Sequence, residues 1–451
     1  MLDAVIIGSG PAGYACAIRV SQLGGKAVII EKDSVGGICT NYGCIPKLSM
    51  HASARLLIKL KRASEFGIDI DRFSVNFEKI MQRKDRIVEI STKGLMKLLD
   101  SYGIEIKNGA GNIVSKNQIR IKETGETISA KNIMIATGSQ PAAIPNVKGI
   151  TSADMFRLKE LPESLVVIGA GYIGVEFATT FSKFGSRVTI IEMADAILPQ
   201  EDEDVADAMT KIMERSGIKI YTKTKVVESD GNNVKIETPE GKAEIFPNIN
   251  VRVVKGEKVL VAVGRKPNID QKELDSVGVK YDKKGIATNS RLQTNIRNIY
   301  AAGDVTGIAM LAHVAYLQGV VAGENMMGQD SEINYDLIPR VIFSTPEIAS
   351  VGKTDKTCPV AKFPLVASGA ARAFGTTEGF VKVCSCDGKL TSVSIVAENA
   401  SDLIAEAVLA IKKGVSVEEI EKIMHAHPTL PEAFMEAVGA VTGKSLHMPR
   451  G

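Results

Sequence analysis

One unit of roughly thirty residues occurs twice in this chain, and it dictates the architecture. The apolar run Ala4-Val5-Ile6-Ile7 enters Gly8-Ser9-Gly10-Pro11-Ala12-Gly13, and a second apolar run, Ala27-Val28-Ile29-Ile30, ends in Glu31. Further along, Leu165-Val166-Val167-Ile168 enters Gly169-Ala170-Gly171-Tyr172-Ile173-Gly174, and Val188-Thr189-Ile190-Ile191 ends in Glu192. Short, continuously apolar runs suit strands buried on both faces of a parallel sheet. A G-x-G-x-x-G between strand and helix lets the backbone approach a pyrophosphate, which the unpaired N–H groups and positive dipole end of the helix then hold. The acid about twenty residues on accepts hydrogen bonds from a ribose diol. The fold class is therefore α/β, with two Rossmann-like units. Two units imply two dinucleotides, FAD and a nicotinamide. Glu192 is followed by Met193-Ala194 rather than arginine. A carboxylate there suits a free 2′-hydroxyl and repels a 2′-phosphate, so NAD is expected over NADP.

The segment after the first unit carries two cysteines in Gly36-Gly37-Ile38-Cys39-Thr40-Asn41-Tyr42-Gly43-Cys44-Ile45-Pro46. This placement suggests a disulfide that exchanges electrons with a flavin. Residues five apart in an ideal helix have Cα atoms roughly 8–9 Å apart, whereas a disulfide tolerates about 7 Å at most. The helix must be distorted, and Gly43 is the residue that allows it.

Bulk properties exclude several classes. The length of 451 residues suggests about three domains, and 45% hydrophobic with 24% charged residues is ordinary globular composition. The net charge is +3 and no Lys/Arg run is long enough for a nucleic-acid stripe. No apolar run reaches the ~18 residues of a membrane span, and Met1-Leu2-Asp3 leads straight into a strand without a basic leader, so a cytoplasmic location is expected. Six cysteines are too few for a disulfide scaffold. Cys16, Cys358, Cys384 and Cys386 are expected to be core or surface thiols without redox or metal roles, and no metal site is expected.

Other motifs are Ala136-Thr137-Gly138-Ser139, Gly264-Arg265-Lys266-Pro267-Asn268, Ala302-Gly303-Asp304 with Met310-Leu311-Ala312-His313, Thr345-Pro346-Glu347, and His425-Ala426-His427-Pro428-Thr429-Leu430-Pro431-Glu432. With both glycine turns and the cysteine pair, they make the chain resemble the flavin disulfide reductases over essentially its whole length, and within them the dihydrolipoamide dehydrogenase family. The resemblance implies an FAD-binding domain at 1–145, an NAD-binding domain at 146–268, a central domain at 269–336 and an α+β dimerisation domain at 337–451. It implies a homodimer with shared active sites, serving a lipoylated protein of a 2-oxo acid dehydrogenase complex or free dihydrolipoamide. Cys39 is then the thiol that exchanges with substrate, Cys44 the thiol facing the flavin, His427 the base supplied by the other subunit, and Glu432 its orienting carboxylate. The chemistry agrees: a thiol attacks a disulfide only as thiolate, so a base must accept its proton, and a carboxylate fixes the imidazole tautomer. By the same resemblance, cofactor contacts extend to Lys32, Gly37, Thr40, Gly111, Thr137, Gly138, Ser139, Asp304 and Met310 through His313 for FAD, and to Val226 and Gly264.

One position departs from the family. A lysine usually stands four residues after the second cysteine, where this chain has Leu48; Lys47 is one residue earlier and is expected to pair with Glu176. Two further departures, a stretch without glycine at Thr391–Ala397 and a short loop near Thr354–Val360, fall in the expected dimerisation domain. The alternative reading within the class is a reductase of another small disulfide, in the manner of glutathione reductase. Mercuric reductase–like enzymes carry a vicinal cysteine pair at the C-terminus, which is absent after Thr442, and simple transhydrogenases lack the Cys39/Cys44 pair.

Overall fold

The apolar run of the first unit forms the strand Leu2–Ile7, in which Ala4, Val5 and Ile6 are fully buried. In the computed structural model, which describes residues 1–237 and 251–449, this strand pairs in parallel with Ala27–Glu31 on one side and Thr127–Ile135 on the other. Parallel neighbours need a crossover, and the helix Pro11–Gln22 supplies it. The sheet runs Glu105–Asn108, Ala27–Glu31, Leu2–Ile7, Thr127–Ile135, Gln118–Ile121, Gly111–Ser115. A late strand, Ile299–Ala301, also pairs in parallel with Thr127–Ile135. The helix that follows it, Ala312–Met326, packs on Pro11–Gln22 so closely that a Cβ on Gly319 would stand 2.2 Å from the Ala12 carbonyl oxygen. The segment after residue 269 thus returns to complete the first unit.

The second unit repeats the design. Lys219–Tyr221, Arg187–Ile191, Ser164–Ile168 and Lys258–Val261 form an all-parallel sheet with the helix Tyr172–Phe184 as crossover. An antiparallel layer, Lys225–Asp230, Asn233–Glu237 and Val251–Lys255, covers it. Val166, Ile168, Ile191, Val234, Ile236 and Val259 form the buried seam between the layers. The short strands Ser139–Pro141 and Arg265–Pro267 pair antiparallel, tying the exits of the two units together.

From Arg340 the pattern changes, as expected, to an α+β layer. Five antiparallel strands run Arg340–Ile342, Glu347–Gly352, Lys389–Ala397, Phe380–Cys386, Val360–Pro364, under the helices Ala400–Lys413 and Glu432–Val441. No helix among the described residues is long and apolar enough to cross a membrane.

The cysteine expectation needs correction here. Cys358 and Cys386 are not separate thiols but a disulfide with Cα atoms 5.3 Å apart. Strand register explains it. Val360 stands opposite Cys384 in the antiparallel pair, so the same register carries residue 358 alongside 386. The bond staples the edge strand to the hairpin turn beyond Cys386. Cys16 and Cys384 remain buried thiols, and burial pushes the Cys16 thiol up to about 12.

Candidate active site

The two glycine turns are nearly superimposable in geometry. Gly8 and Gly169 have φ of 101° and 100°, and a Cβ on either would meet a carbonyl oxygen, of Ala136 at 2.4 Å or Ala262 at 2.5 Å. A Cβ on Gly13 or Gly174 would collide with the Gly8 or Gly169 carbonyl oxygen at 1.9 or 2.0 Å. The chain itself therefore requires the outer glycines. It does not require the middle ones, since a Cβ on Gly10 or Gly171 would meet no protein atom within 4 Å. These glycines face helix N-termini that begin at Pro11 and Tyr172 with no side-chain cap. Uncapped N–H groups, a positive dipole end and a missing Cβ are what a pyrophosphate fits.

The acids at the strand ends are equally matched. Glu31 accepts the Ser9 N–H at 2.8 Å and the Asp33 N–H at 2.9 Å; Glu192 accepts the Ala170 N–H at 2.6 Å and the Ala194 N–H at 2.7 Å. Each carboxylate is fixed beside its turn and keeps lone pairs that could receive a ribose diol. Lys32, the next residue, is exposed.

The cysteine segment lies directly on the first turn: a Cβ on Gly37 would stand 2.9 Å from the Gly10 Cα. The expected distortion is a full break between two helices, Gly37–Asn41 and Cys44–Lys61, with Gly43 between them. A Cβ on Gly43 would come within 3.0 Å of the Ile38 carbonyl oxygen. Thr40 is buried under Gly36. Cys39 and Cys44 are free thiols here, so the expected bond between them is not formed in this structure. In this dithiol, a hydrogen bond from Cys44, aided by Tyr316, outweighs burial and holds Cys39 below an ordinary thiol. The same hydrogen bond, burial and the Cys39 charge push Cys44 up. Tyr316 stacks at a tilt on Tyr14, ring centroids 5.5 Å apart.

One turn into the second of those helices, Lys47 is buried. Its Nζ lies 3.6 Å from Glu176 Oε2 and donates to the Phe343 carbonyl oxygen. Glu176 Oε1 accepts the Phe343 N–H at 2.8 Å. Burial pulls the Lys47 ammonium down and Glu176 partly offsets it. Leu48, at the usual lysine position, is exposed. His51 is a packing residue, fully buried 3.6 Å from Glu347.

Thr137, Gly138 and Ser139 sit at the exit of the first unit. Ser139 Oγ donates to Asp304 and receives Arg265 Nε at 2.7 Å, while Thr137 Oγ1 donates to the Asn268 carbonyl oxygen at 2.8 Å. Burial raises the Asp304 carboxyl against the pull of Ser139 and Arg265. Met310 and Leu311 lead into the helix Ala312–Met326, and His313 Nε2 lies 2.9 Å from the Pro339 carbonyl oxygen. Gly111 and Val226 have packing reasons of their own. A Cβ on Gly111 would press on Ile119 at 3.2 Å, and Val226 packs against the second unit's seam. Gly264 has φ of 111° directly before Arg265–Pro267, and its carbonyl oxygen accepts the Ala142 N–H at 3.0 Å.

At the other end of the chain, His427 Nδ1 lies 2.8 Å from Glu432 Oε1, and Glu432 Oε2 accepts the Thr429 N–H at 2.8 Å. Burial raises the Glu432 carboxyl, but the Thr429 N–H and His427 outweigh it and hold it below the usual range. His427 is 76% exposed, and its Nε2 has no hydrogen-bond partner among the described residues. His425 differs: it is 6% exposed and both ring nitrogens are engaged, by the Ile423 carbonyl oxygen and Glu406. His447 pairs with Glu436 at 2.7 Å. Sequence reasoning missed Arg265, Tyr14, Tyr316 and the buried Gln318, whose Oε1 accepts the Gly303 N–H at 2.6 Å. Arg265 lay inside a motif already singled out; the others carried no local signal.

Residues 2–319 match the pyridine nucleotide-disulphide oxidoreductase family and residues 338–438 its dimerisation domain. The chain belongs to that family. It is an oxidoreductase that uses FAD and NAD. Among its relatives, the dihydrolipoyl dehydrogenases of Chlamydia muridarum and Geobacillus stearothermophilus are each 37% identical to it, over 99% of this chain and 98% and 97% of theirs. That of Staphylococcus aureus is 38% identical over 99% of this chain and 97% of its own. Among solved structures, LpdA from Mycobacterium tuberculosis has a TM-score of 0.86 at 25% identity, and the HOCl-induced flavoprotein disulfide reductase RclA from Escherichia coli 0.84 at 25%; each covers 97% of this chain and 99% of its own.

Proposed function

We propose that this chain catalyses NAD-dependent oxidation of protein-bound dihydrolipoamide through Cys39 and Cys44, as the dehydrogenase subunit of a 2-oxo acid dehydrogenase or related lipoyl complex in the cytoplasm. The observation that carries this reading is His427: Glu432 fixes its Nδ1, and its Nε2 is left exposed to an incoming thiol. In a homodimer with shared sites it serves the partner's cysteine pair.

His427 takes the proton of one substrate thiol. The thiolate attacks Cys39 Sγ of the disulfide state, and Cys44 leaves as thiolate. His427 loses that proton to solvent and takes the proton of the second substrate thiol, whose thiolate attacks the substrate sulfur of the mixed disulfide and releases Cys39 as thiolate, closing the lipoyl ring. Two electrons pass to the cysteine pair, and the hydrogen bonds from Cys44 and Tyr316 favour the Cys39 thiolate. When bound, FAD and NAD⁺ supply the two-electron acceptor chemistry that restores the disulfide. FAD is held at Gly8, Gly10, Pro11, Ala12, Gly13, Glu31 and Asp304, and NAD at Gly169, Gly171, Tyr172, Ile173, Gly174 and Glu192. Lys47 and Glu176 form the charged pair behind the thiols. The corresponding domain division is 1–145, 146–268, 269–336 and 337–451.

The test is to assay the holoenzyme with NADH and NADPH against lipoamide, oxidised glutathione and coenzyme A disulfide. Fastest turnover with NADH and lipoamide is expected. Preference for NADPH or for glutathione disulfide overturns the proposal.

A further inference from the structure

Glu201 is an acid that the chemistry above does not use, yet only 1% of its side chain is exposed. It follows the second unit's loop and belongs to neither the turn nor the thiols. A buried carboxylate is costly unless it is fully paired, and this one is paired from three directions. Tyr172 Oη donates to Oε1 at 2.5 Å, Arg340 Nε donates to the same oxygen at 3.0 Å, and Ser350 Oγ donates to Oε2 at 2.6 Å. Tyr172 is the first residue of the helix that opens the second glycine turn. Arg340 and Ser350 lie on neighbouring strands of the C-terminal sheet, directly paired in register. Burial and the Glu201 charge keep the Tyr172 hydroxyl protonated and donating.

We infer that Glu201 is a positioning residue for nucleotide binding: it tethers Tyr172 at the mouth of the second glycine turn to Arg340 and Ser350 of the dimerisation sheet. The inference rests on NAD occupying that turn. A ring already held in place loses no rotational freedom when the nucleotide arrives, which strengthens binding without touching the thiol chemistry. It also means that docking of the C-terminal sheet is felt at the nucleotide turn.

The experiment uses FAD-loaded Tyr172→Phe, Glu201→Gln and the double variant. NAD⁺ affinity is read by direct calorimetric titration, and KM for NAD⁺ is read separately from kcat. Tyr172→Phe deletes one hydroxyl and leaves Glu201 with Arg340 and Ser350, so it tests the tether even where Glu201→Gln does not fold. Both single variants are expected to weaken NAD⁺ binding about tenfold or more, the loss of one hydrogen bond to a charged group, and Glu201→Gln is expected to keep kcat within about twofold. The double variant should be no weaker than the worse single one, since both cut the same link. Unchanged or tighter binding in Tyr172→Phe overturns the inference, and so do additive effects in the double variant. Wild-type protein that binds NADP⁺ in preference to NAD⁺ would instead refute the cofactor assignment.

Discussion

Lys47 Nζ stands 3.6 Å from Glu176 Oε2, and the two groups grip the two backbone polar groups of one residue, the carbonyl oxygen and the N–H of Phe343. The C-terminal sheet thus closes the back of a charged pair whose members come from the first and second nucleotide units. Removing one partner of a buried pair leaves the other uncompensated, at a cost of about 3–5 kcal/mol. Glu176→Gln is expected to destabilise the protein by that order.

The sign of the pH dependence is set by Lys47, whose folded pKa lies below its ordinary value because of burial. Between the folded pKa and roughly 10.4, the unfolded chain holds a proton that the folded chain has released, so stability rises with pH. Below the folded pKa the penalty is constant. Urea denaturation across the alkaline range should show this rise in wild type, a wider rise starting at lower pH in Glu176→Gln, and its loss in Lys47→Met. A Lys47→Met profile as steep as wild type would refute the assignment.

Cys44→Ala should raise the midpoint of Cys39 alkylation in the reduced protein, because it removes the hydrogen bond that favours the Cys39 thiolate. Cys44→Ser should keep NADH oxidation by an artificial quinone, which bypasses the thiols, and lose lipoamide turnover. Near-normal lipoamide turnover would show that Cys44 is dispensable.

His427→Gln should lower lipoamide turnover about 10²- to 10⁴-fold, and Glu432→Gln by a smaller factor, while His447→Gln serves as a control within about twofold of wild type. If His427 acts on the partner's thiols, heterodimers of a Cys44→Ser chain with a His427→Gln chain contain one site with both defects and one with neither. They should regain about half of wild-type activity. Purified heterodimers that remain dead would place His427 on its own chain's thiols.

Glu192→Ala should weaken NADH binding and narrow its margin over NADPH, by about 1–3 kcal/mol from the lost hydrogen bonds. Cys386→Ser opens a link that spans 28 residues, and chain entropy puts its stabilisation at about 3–4 kcal/mol. Thermal unfolding of that variant should fall accordingly, with lipoamide turnover at 25 °C retained. An unchanged melting temperature would mean the staple does not constrain the unfolded chain.

Much of the site was legible because its constraints are local. Gly8 and Gly13 meet the same backbone demands wherever the turn occurs, and the Cys39–Cys44 spacing, read with an expected disulfide, called for a distorted helix that Gly43 allows. The Lys47–Glu176 pairing could be anticipated from a resemblance, but its tie to Phe343 could not. Cys358 and Cys386 looked like unrelated thiols because their meeting depends on which residue Val360 faces across the edge strand. Glu201 carried no signal at all. Its partners lie at positions 172, 340 and 350, and only tertiary packing brings them to one carboxylate.

Residues 339–343 have a consequence for how such a chain can be cut. The Pro339 carbonyl oxygen meets His313, Arg340 meets Glu201, and Phe343 meets Lys47 and Glu176. A fragment ending before this segment would retain both glycine turns and both thiols, yet strip the backing from the second turn and from the charged pair behind the thiols. The nucleotide-binding part is therefore not a transferable module: a gene encoding it alone, or fused to a foreign oligomerisation domain, would yield a flavin binder with a loosened redox centre.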